Sequence, residues 1–241
     1  MSSVVRDQLA PTGILRAGIN LSNFLLVTGR SNTGGPVGVA PDMAAEIARR
    51  LGVPVLYVPY ESPAALADAA GSGAWDIGLI GAEPQRAEAI AFTPAYVEIE
   101  ATYLVPPGSP IQGLAEVDRA GVRIAVTDRT AYGLWLDRNI AHATLVRSAT
   151  LDTAYEQFAR DKLEALAGLR PRLIADAPKM PGSRILDGRF ATVQQAIGTA
   201  KGNLEGAAFL SAFVADAKAS GLVAGLIARH RVAGLTVAPP A

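Results

Sequence analysis

The sequence predicts an α/β fold in two lobes, and three observations carry that expectation. Short apolar runs of strand length alternate with helical spacings along the chain, which is the order of a largely parallel sheet covered by helices. A long half-polar strand, Tyr96–Val105, interrupts the alternation near the middle and ends at Pro106-Pro107-Gly108. A second strand–helix series then begins at Arg123. Two α/β units joined by two crossovers leave a cleft between them, and such clefts are favoured ligand sites. The expected lobes are 1–98 plus 196–241, and 99–195, with no single sheet running through both.

The first lobe opens on a strand at Ile14–Ile19. After the turn Gly34-Gly35-Pro36, Asp42 reads as a helix N-cap, because its carboxylate can accept from free first-turn N–H groups. Met43, Ile47 and Leu51 follow at helical spacing, and Gly52 is a stop. Val53–Val58 reads as a buried strand. Ser62-Pro63 starts a helix reaching about Gly71, since proline lacks only an N–H that is unpaired there anyway. Ile77–Ile80 is the next strand and Pro84–Ala89 a short helix. In the crossover strand Tyr96, Glu98 and Glu100 alternate with Val97, Ile99 and Ala101, the period of two of a half-buried strand.

The second series runs through strand Arg123–Val126, helix Thr130–Ile140, strand Thr144–Val146, helix Leu151–Arg160 and strand Leu163–Ala167. Gly182–Arg184 and Gly188 read as loops, and Val193–Gly198 as the returning strand. Helices Glu205–Ala219 and Val223–Arg229 follow, and Leu235–Ala241 reads as an extended strap. No internal repeat is visible in the sequence.

Composition narrows the function. Lys+Arg and Asp+Glu are both 22 among 241 residues, so the chain lacks the basic surface a general nucleic-acid binder needs. Half the residues are apolar, which argues against disorder. With no cysteine, disulfides, thiolate metal sites and cysteine nucleophiles are excluded. Nothing in the sequence asks for a cofactor or metal. The richest apolar stretch, Gly206–Ile227, is cut by Asp216 and Lys218, so no membrane insertion is expected. The opening MSSVVRDQLAPTG lacks a basic-then-apolar signal pattern, and the chain as written is expected to stay in the cytoplasm, as a monomer.

Three runs carry a family resemblance: Gly13–Asn20 (GILRAGIN), Gly38–Gly52 (GVAPDMAAEIARRLG) and Trp75–Tyr96 (WDIGLIGAEPQRAEAIAFTPAY). Gly121–Val126 and Gln194–Gly202 extend it through the second half, with Asp42, Asp76, Arg86, Phe92, Thr93, Tyr96 and Lys201 at motif positions. In this order and spacing they resemble the type II bacterial solute-binding proteins, in the branch that serves polar amino-acid ABC transporters. The resemblance implies crossovers near 97–106 and 190–196, a small ligand trapped by lobe closure, an ABC permease as partner and a periplasmic setting. Some relatives on this fold, such as cyclohexadienyl dehydratase, are enzymes, and an intracellular sensor is a third reading.

It also implies site residues. Arg86 becomes the grip on the ligand's carboxylate, a task suited to the planar guanidinium fork; without the resemblance it reads as a surface arginine paired with Glu83 or Glu88. Thr130 matches a hydroxyl contact at a helix start, and otherwise reads as an N-cap beside a solvated Arg129. Arg129 stands where the family usually has glycine. The aromatic ligand cover falls at Asn23, with Phe24 adjacent. The turn before Arg86, Gly81-Ala82-Glu83-Pro84, is about two residues shorter than usual and lacks its Ser or Thr side chains. The acid that binds the α-ammonium falls near Gly168-Leu169-Arg170, where no carboxylate stands. Glu83, Glu98 and Glu100 are the substitutes on offer, and Gln194 completes the candidate set. The expected ligand is therefore a carboxylate compound that is anionic or neutral overall, rather than an ordinary α-amino acid. His142 and His230 read as surface or helix-terminal residues, and Trp75 and Trp135 as packing.

Overall fold

Helix α1 (Ser3–Leu9) precedes strand β1 (Leu15–Asn20) in the computed structural model, which describes residues 3–240. The sequence reading missed α1 because it is short. Its buried Val5 and Leu9 pack mainly against α7, far along the chain. Two short strands follow, β2 (Gly29–Arg30) and β3 (Pro36–Val37), then α2 (Val39–Leu51), β4 (Val55–Tyr60), α3 (Pro63–Asp68), β5 (Ile77–Gly81) and β6 (Ile90–Phe92). The crossover strand β7 spans Val97–Val105. The second series is β8 (Arg123–Thr127), α4 (Ala131–Asn139), β9 (Thr144–Ser148), α5 (Leu151–Arg160), β10 (Ala165–Leu169), α6 (Arg170–Asp176) and β11 (Arg184–Ile185). The chain returns on β12 (Ala191–Ala200) and closes with α7 (Leu204–Ala219), α8 (Leu222–Arg229) and β13 (Thr236–Val237).

The chain divides into two compact units. One runs to Glu98 and resumes at Gln194; the other is Ile99–Val193. In the first unit β1 lies between β4 and β5, parallel to both, and β12 runs antiparallel to β5 with Gln195 opposite Gly81. In the second, β8 lies between β9 and β10, parallel to both, and β7 runs antiparallel to β10. Because β7 and β12 run through the unit boundary and are neighbours in the strand order, the hydrogen-bonded ladder continues through them.

Several local expectations are corrected by tertiary context. Helix α2 starts at Val39, with Gly38 as its cap, so Asp42 is a first-turn residue rather than the N-cap. Pro41 fits in that turn because its missing N–H has no intrahelical acceptor. Strand β4 lies at the end of the sheet order and is half exposed, with Leu56 in solvent, so it is an edge strand and not a buried one. Helix α3 is capped by Ser62 as read but ends at Asp68, and 84–89 holds only a short 3-10 turn, Arg86–Glu88. Tyr96, read as part of the polar alternation, is fully buried. His230 is mostly covered, and its Nε2 sits 2.8 Å from Asp42 at the C-terminus of α8. Arg184–Ile185, read as loop, is the short strand β11, because it pairs with Val105 and Leu104 of β7.

The first unit's core gathers Leu15, Ile19, Met43, Ile47, Leu51 and Ile77 with Tyr96, Leu210, Phe213 and Leu226. The second unit's core centres on Leu104, Phe158, Leu166 and Leu173. Trp75 is buried as expected, with its Nε1 donating to the Leu66 carbonyl, and Trp135 packs on Phe190. Among the described residues no single helix is long and apolar enough to cross a membrane. Helices α7 and α8 reach that length only together and are bent 68° apart. The strap pairs with β7 through Thr236 opposite Glu98; Ala241, its last residue, lies outside the described residues.

The two units share a device that sequence inspection did not reveal. At the foot of β1, the Arg16 backbone N–H donates to Asp76 Oδ2 at 2.8 Å, and its guanidinium grips the same carboxylate at 3.0 and 2.5 Å. At the foot of β8, Arg123 holds Glu164 in the same way, at 2.8, 2.9 and 2.8 Å. In each unit the latch ties the first strand to the residue that precedes the third.

Candidate functional site

In parallel α/β sheets the loops at the carboxyl ends of the strands form the ligand face. In the first unit these are the loops after β1 and β5. Beyond β1, Asn20 accepts from Ser22 through both its N–H and its hydroxyl. Asn23 is buried, and its side-chain oxygen accepts from the N–H groups of Leu25 and Leu26 at 3.3 Å each, so it shapes the turn. Phe24, next to it, is 38% exposed and offers the aromatic surface.

Beyond β5 the chain turns at once. Ala82 N–H donates to the Gln194 carbonyl at 2.7 Å, and the Glu83 carbonyl accepts from Arg86 and Ala87. This turn delivers Arg86 inward. The residue is only 6% exposed, and Nη1 donates to the Gly81 carbonyl at 2.7 Å. It is therefore a buried arginine at the mouth of a strand, not a surface one. A guanidinium in such a place needs polar partners, since an unpaired buried charge is very unfavourable. Gln194 lies on β12 beside this turn, and its Nε2 donates to Glu98 Oε1 at 2.8 Å.

In the second unit the corresponding loops follow β8 and β10. Thr130 caps α4: its hydroxyl accepts from Gly133 N–H at 3.1 Å and donates to the Thr127 carbonyl at 2.9 Å. Gly133 is needed for this closeness, because a Cβ there would lie 2.9 Å from both the Thr127 carbonyl and the Thr130 hydroxyl. Arg129 has φ 51°, the left-handed conformation. Glycine adopts that conformation without strain whereas a side chain costs about 1 kcal/mol.

Gly168 closes β10 opposite Thr102 and packs under Leu173, which a Cβ would approach to 2.9 Å. Arg170 starts α6, and its Nε donates to Glu100 Oε2 at 2.7 Å while Nη2 donates to the Gly188 carbonyl. Arg189 holds the other Glu100 oxygen at 2.9 Å. Hydrogen bonding from Arg170, supported by Arg189, keeps the Glu100 carboxyl below the usual carboxylate range. Of the acids read from sequence as substitutes for an ammonium partner, Glu98 is bound by Gln194 and Glu100 by two arginines.

The first unit thus brings Asn23, Phe24, Gly81, Glu83, Arg86 and Gln194 to its strand ends, and the second brings Arg129, Thr130, Gly168 and Arg170 to its own. A cavity of about 370 Å³ lies elsewhere in the first unit, between α7 and the strap, and none of these ten residues lines it. Among the described residues no group of His, Asp and Glu is arranged to hold a metal ion. The residues the sequence reading missed are Arg189, which joins Glu100 to the second crossover, and the latch residues Arg16, Arg123 and Glu164. A charge pair between residues distant in sequence leaves no spacing signal.

Comparisons with known proteins bear on the fold and the family. A search of curated proteins returns no match. Among solved structures, a histidine kinase sensor domain with similarity to periplasmic binding proteins superposes with a TM-score of 0.77, at 17% identity, over 97% of this chain and 100% of that one. The substrate binding protein of an amino acid ABC transporter gives 0.72 at 19% identity, over 90% and 98%. The ancestral amino acid-binding protein AncCDT-1, a precursor of cyclohexadienyl dehydratase, gives 0.74 at 20% identity, over 95% and 99%. These likenesses establish the type II periplasmic binding protein-like fold. The model of one family covers residues 19–231, nearly the whole chain. On that match the chain belongs to the bacterial extracellular solute-binding proteins, family 3.

Proposed function

We propose that this chain is the solute-recognition component of an ABC-type uptake system, and that its solute carries a carboxylate but no α-ammonium group. The observations that carry the reading are the burial of Arg86 and the engagement of Glu98 and Glu100 by other side chains. Arg86 is a buried guanidinium, the side chain whose planar geometry suits a carboxylate best. The Gly168-Leu169-Arg170 turn offers an amine no acid, and Glu98 and Glu100 already accept from Gln194, Arg170 and Arg189. An ammonium left without a partner in a closed site loses its hydration and gains no counter-charge. Amino-acid binding by similar proteins is thus a guide to the fold and not to this solute. Oxo acids and dicarboxylates, which carry no ammonium, fit this pattern better. The engaged state of Glu98 and Glu100 also weighs against a lyase, which needs a carboxyl able to exchange a proton with substrate.

Titration calorimetry with L-amino acids, 2-oxo acids and dicarboxylates tests this. A 2-oxo acid or dicarboxylate is expected to bind more tightly than any L-amino acid of the same side chain. Arg86→Ala is expected to weaken that binding about tenfold or more, the value of the charge-assisted bonds removed. Tight binding of a simple L-amino acid, indifferent to Arg86→Ala, would show both the anchor and the ligand class to be wrong.

A further inference from the structure

The cavity of about 370 Å³ between α7 and the strap lies wholly within the first unit. Pro94, Ala215, Ala219, Val237, Ala238 and Pro240 line it with apolar side chains. Ala215 and Ala219 stand one turn apart on α7, and their small side chains leave the space open. The wall on the strap is fixed by the fold itself. Val237 pairs with Val97 of β7, and Ala238 N–H donates to the Tyr96 carbonyl at 3.1 Å. Pro239 and Pro240 follow, each with φ set by its ring. Water inside such walls finds few of the polar partners it needs, so an apolar guest displaces it favourably.

Lys218 is the one charged residue of the lining. A lysine in the last turn of a helix commonly serves the final carbonyls. Here backbone groups serve them: Ser220 N–H donates to the Asp216 carbonyl at 2.8 Å, and Gly221 N–H to the Lys218 carbonyl at 3.2 Å. Lys218 Nζ instead donates to the Pro239 carbonyl at 2.7 Å, reaching from α7 to the strap. That bond uses one of the three N–H donors of an ammonium. Among the described residues no acid pairs with Lys218, and Asp216, two positions away, is held by Arg50 at 2.7 Å.

We propose that this cavity is a second binding site, separate from Arg86, for a small carboxylic acid with an apolar body. The apolar walls take the body, and Lys218 takes the carboxylate through a charge-assisted hydrogen bond. A cavity of roughly 150 Å³ already holds benzene, so this one has room for a ring or chain with its acid group attached. A solute with an ammonium finds no acid in the lining, and a dianion finds one cation only. Because the strap forms one wall, the guest is held only while the strap stays paired with β7. Occupancy therefore fastens the strap to the sheet.

Amide NMR titration of the isotope-labelled chain tests the site, with phenylacetate as probe and phenylethanol as its neutral counterpart. Phenylacetate is expected to bind with Kd of about 1 mM or tighter, and to shift the amide resonances of 215–219 and 236–238. Phenylethanol is expected to bind at the same place about tenfold more weakly, for want of the charge-assisted bond. Lys218→Met keeps the apolar stem, and is expected to weaken phenylacetate about tenfold while leaving phenylethanol unchanged. Ala219→Phe, at an exposed position, fills the space and is expected to abolish binding of both. At about ten times its Kd, phenylacetate is expected to slow hydrogen exchange of the Ala238 amide about tenfold. Arg86→Ala is expected to change none of these responses. Shifts confined to 81–87 would assign the acid to Arg86 and overturn the second site. Equal affinity for acid and alcohol, binding indifferent to Lys218→Met, or binding retained by folded Ala219→Phe would overturn it too. The calorimetric test of the Arg86 solute keeps its own outcome in every case.

Discussion

Gly38→Ala is expected to destabilise the protein by about 4 kcal/mol and to lower Tm by about 10 °C. Two independent effects add at this residue. Its backbone has φ 150° and ψ −175°, a region that only glycine enters without strain, at about 1–3 kcal/mol for any other residue. A Cβ there would also lie 2.2 Å from the Leu26 carbonyl oxygen and 2.9 Å from Val27 Cα. Those are backbone atoms, and the same Leu26 carbonyl accepts from Ala40 N–H at 3.1 Å in the first turn of α2. Relief of the clash therefore breaks the contact that seats the helix. Thermal and urea unfolding followed by circular dichroism measure the effect. A change below about 1 kcal/mol would mean that the loop over 24–27 yields easily and that α2 is not seated by it.

Asp76→Ala is expected to cost about 3 kcal/mol, and Glu164→Ala much less, although the two latches have the same bonding pattern. Burial separates them. The Asp76 side chain is 4% exposed and that of Arg16 25%, whereas Glu164 and Arg123 are 35% and 42% exposed. Removing a buried acid strands its partner and leaves the Arg16 backbone N–H without its acceptor. The figure stays near the lower end of the range for buried pairs because a quarter of Arg16 already meets water. The exposed pair in the second unit is solvated and screened in the folded state. Unfolding free energies of the two variants, measured side by side, decide the point; equal losses would show that latch geometry outweighs burial.

The order of elements was legible because it depends on local patterns. Met43, Ile47 and Leu51 with Gly52 define the end of α2, and Thr130 the start of α4, from side-chain chemistry that acts within one turn. The start of α2 was not legible. Asp42 is a good capping residue in isolation, but the cap is fixed at Gly38 by the approach of the Leu26 carbonyl from another loop. Asp42 meets His230 and Arg229 instead, residues far off in sequence. The same limit applied at the site. The short turn after β5 marked Arg86, but not its burial, since that turn is held to β12 by the Gln194 carbonyl only in the folded chain. The positions of Glu98 and Glu100 on β7 were clear from their alternation. What they bind was not, since Gln194, Arg170 and Arg189 reach them only in the folded chain.

The first unit is built from two stretches of chain with the whole second unit spliced between them, and this has a consequence for synthesis. Strand β5 has no antiparallel neighbour until β12 exists, and α1 lacks its main packing partner until α7 does. The second unit's sequence is continuous. We therefore expect it to leave the ribosome and fold while Val5, Leu9, Leu15, Ile19 and Ile47 still await Leu210, Phe213 and Leu226. The apolar N-terminal third then spends the longest time uncovered, which makes it the segment most in need of chaperone protection during translation. In a refolding experiment with pulsed hydrogen exchange, the amides of β8 and β10 should gain protection before those of β1 and β5. The opposite order would mean that the longer sequence separation in the first unit does not delay its assembly.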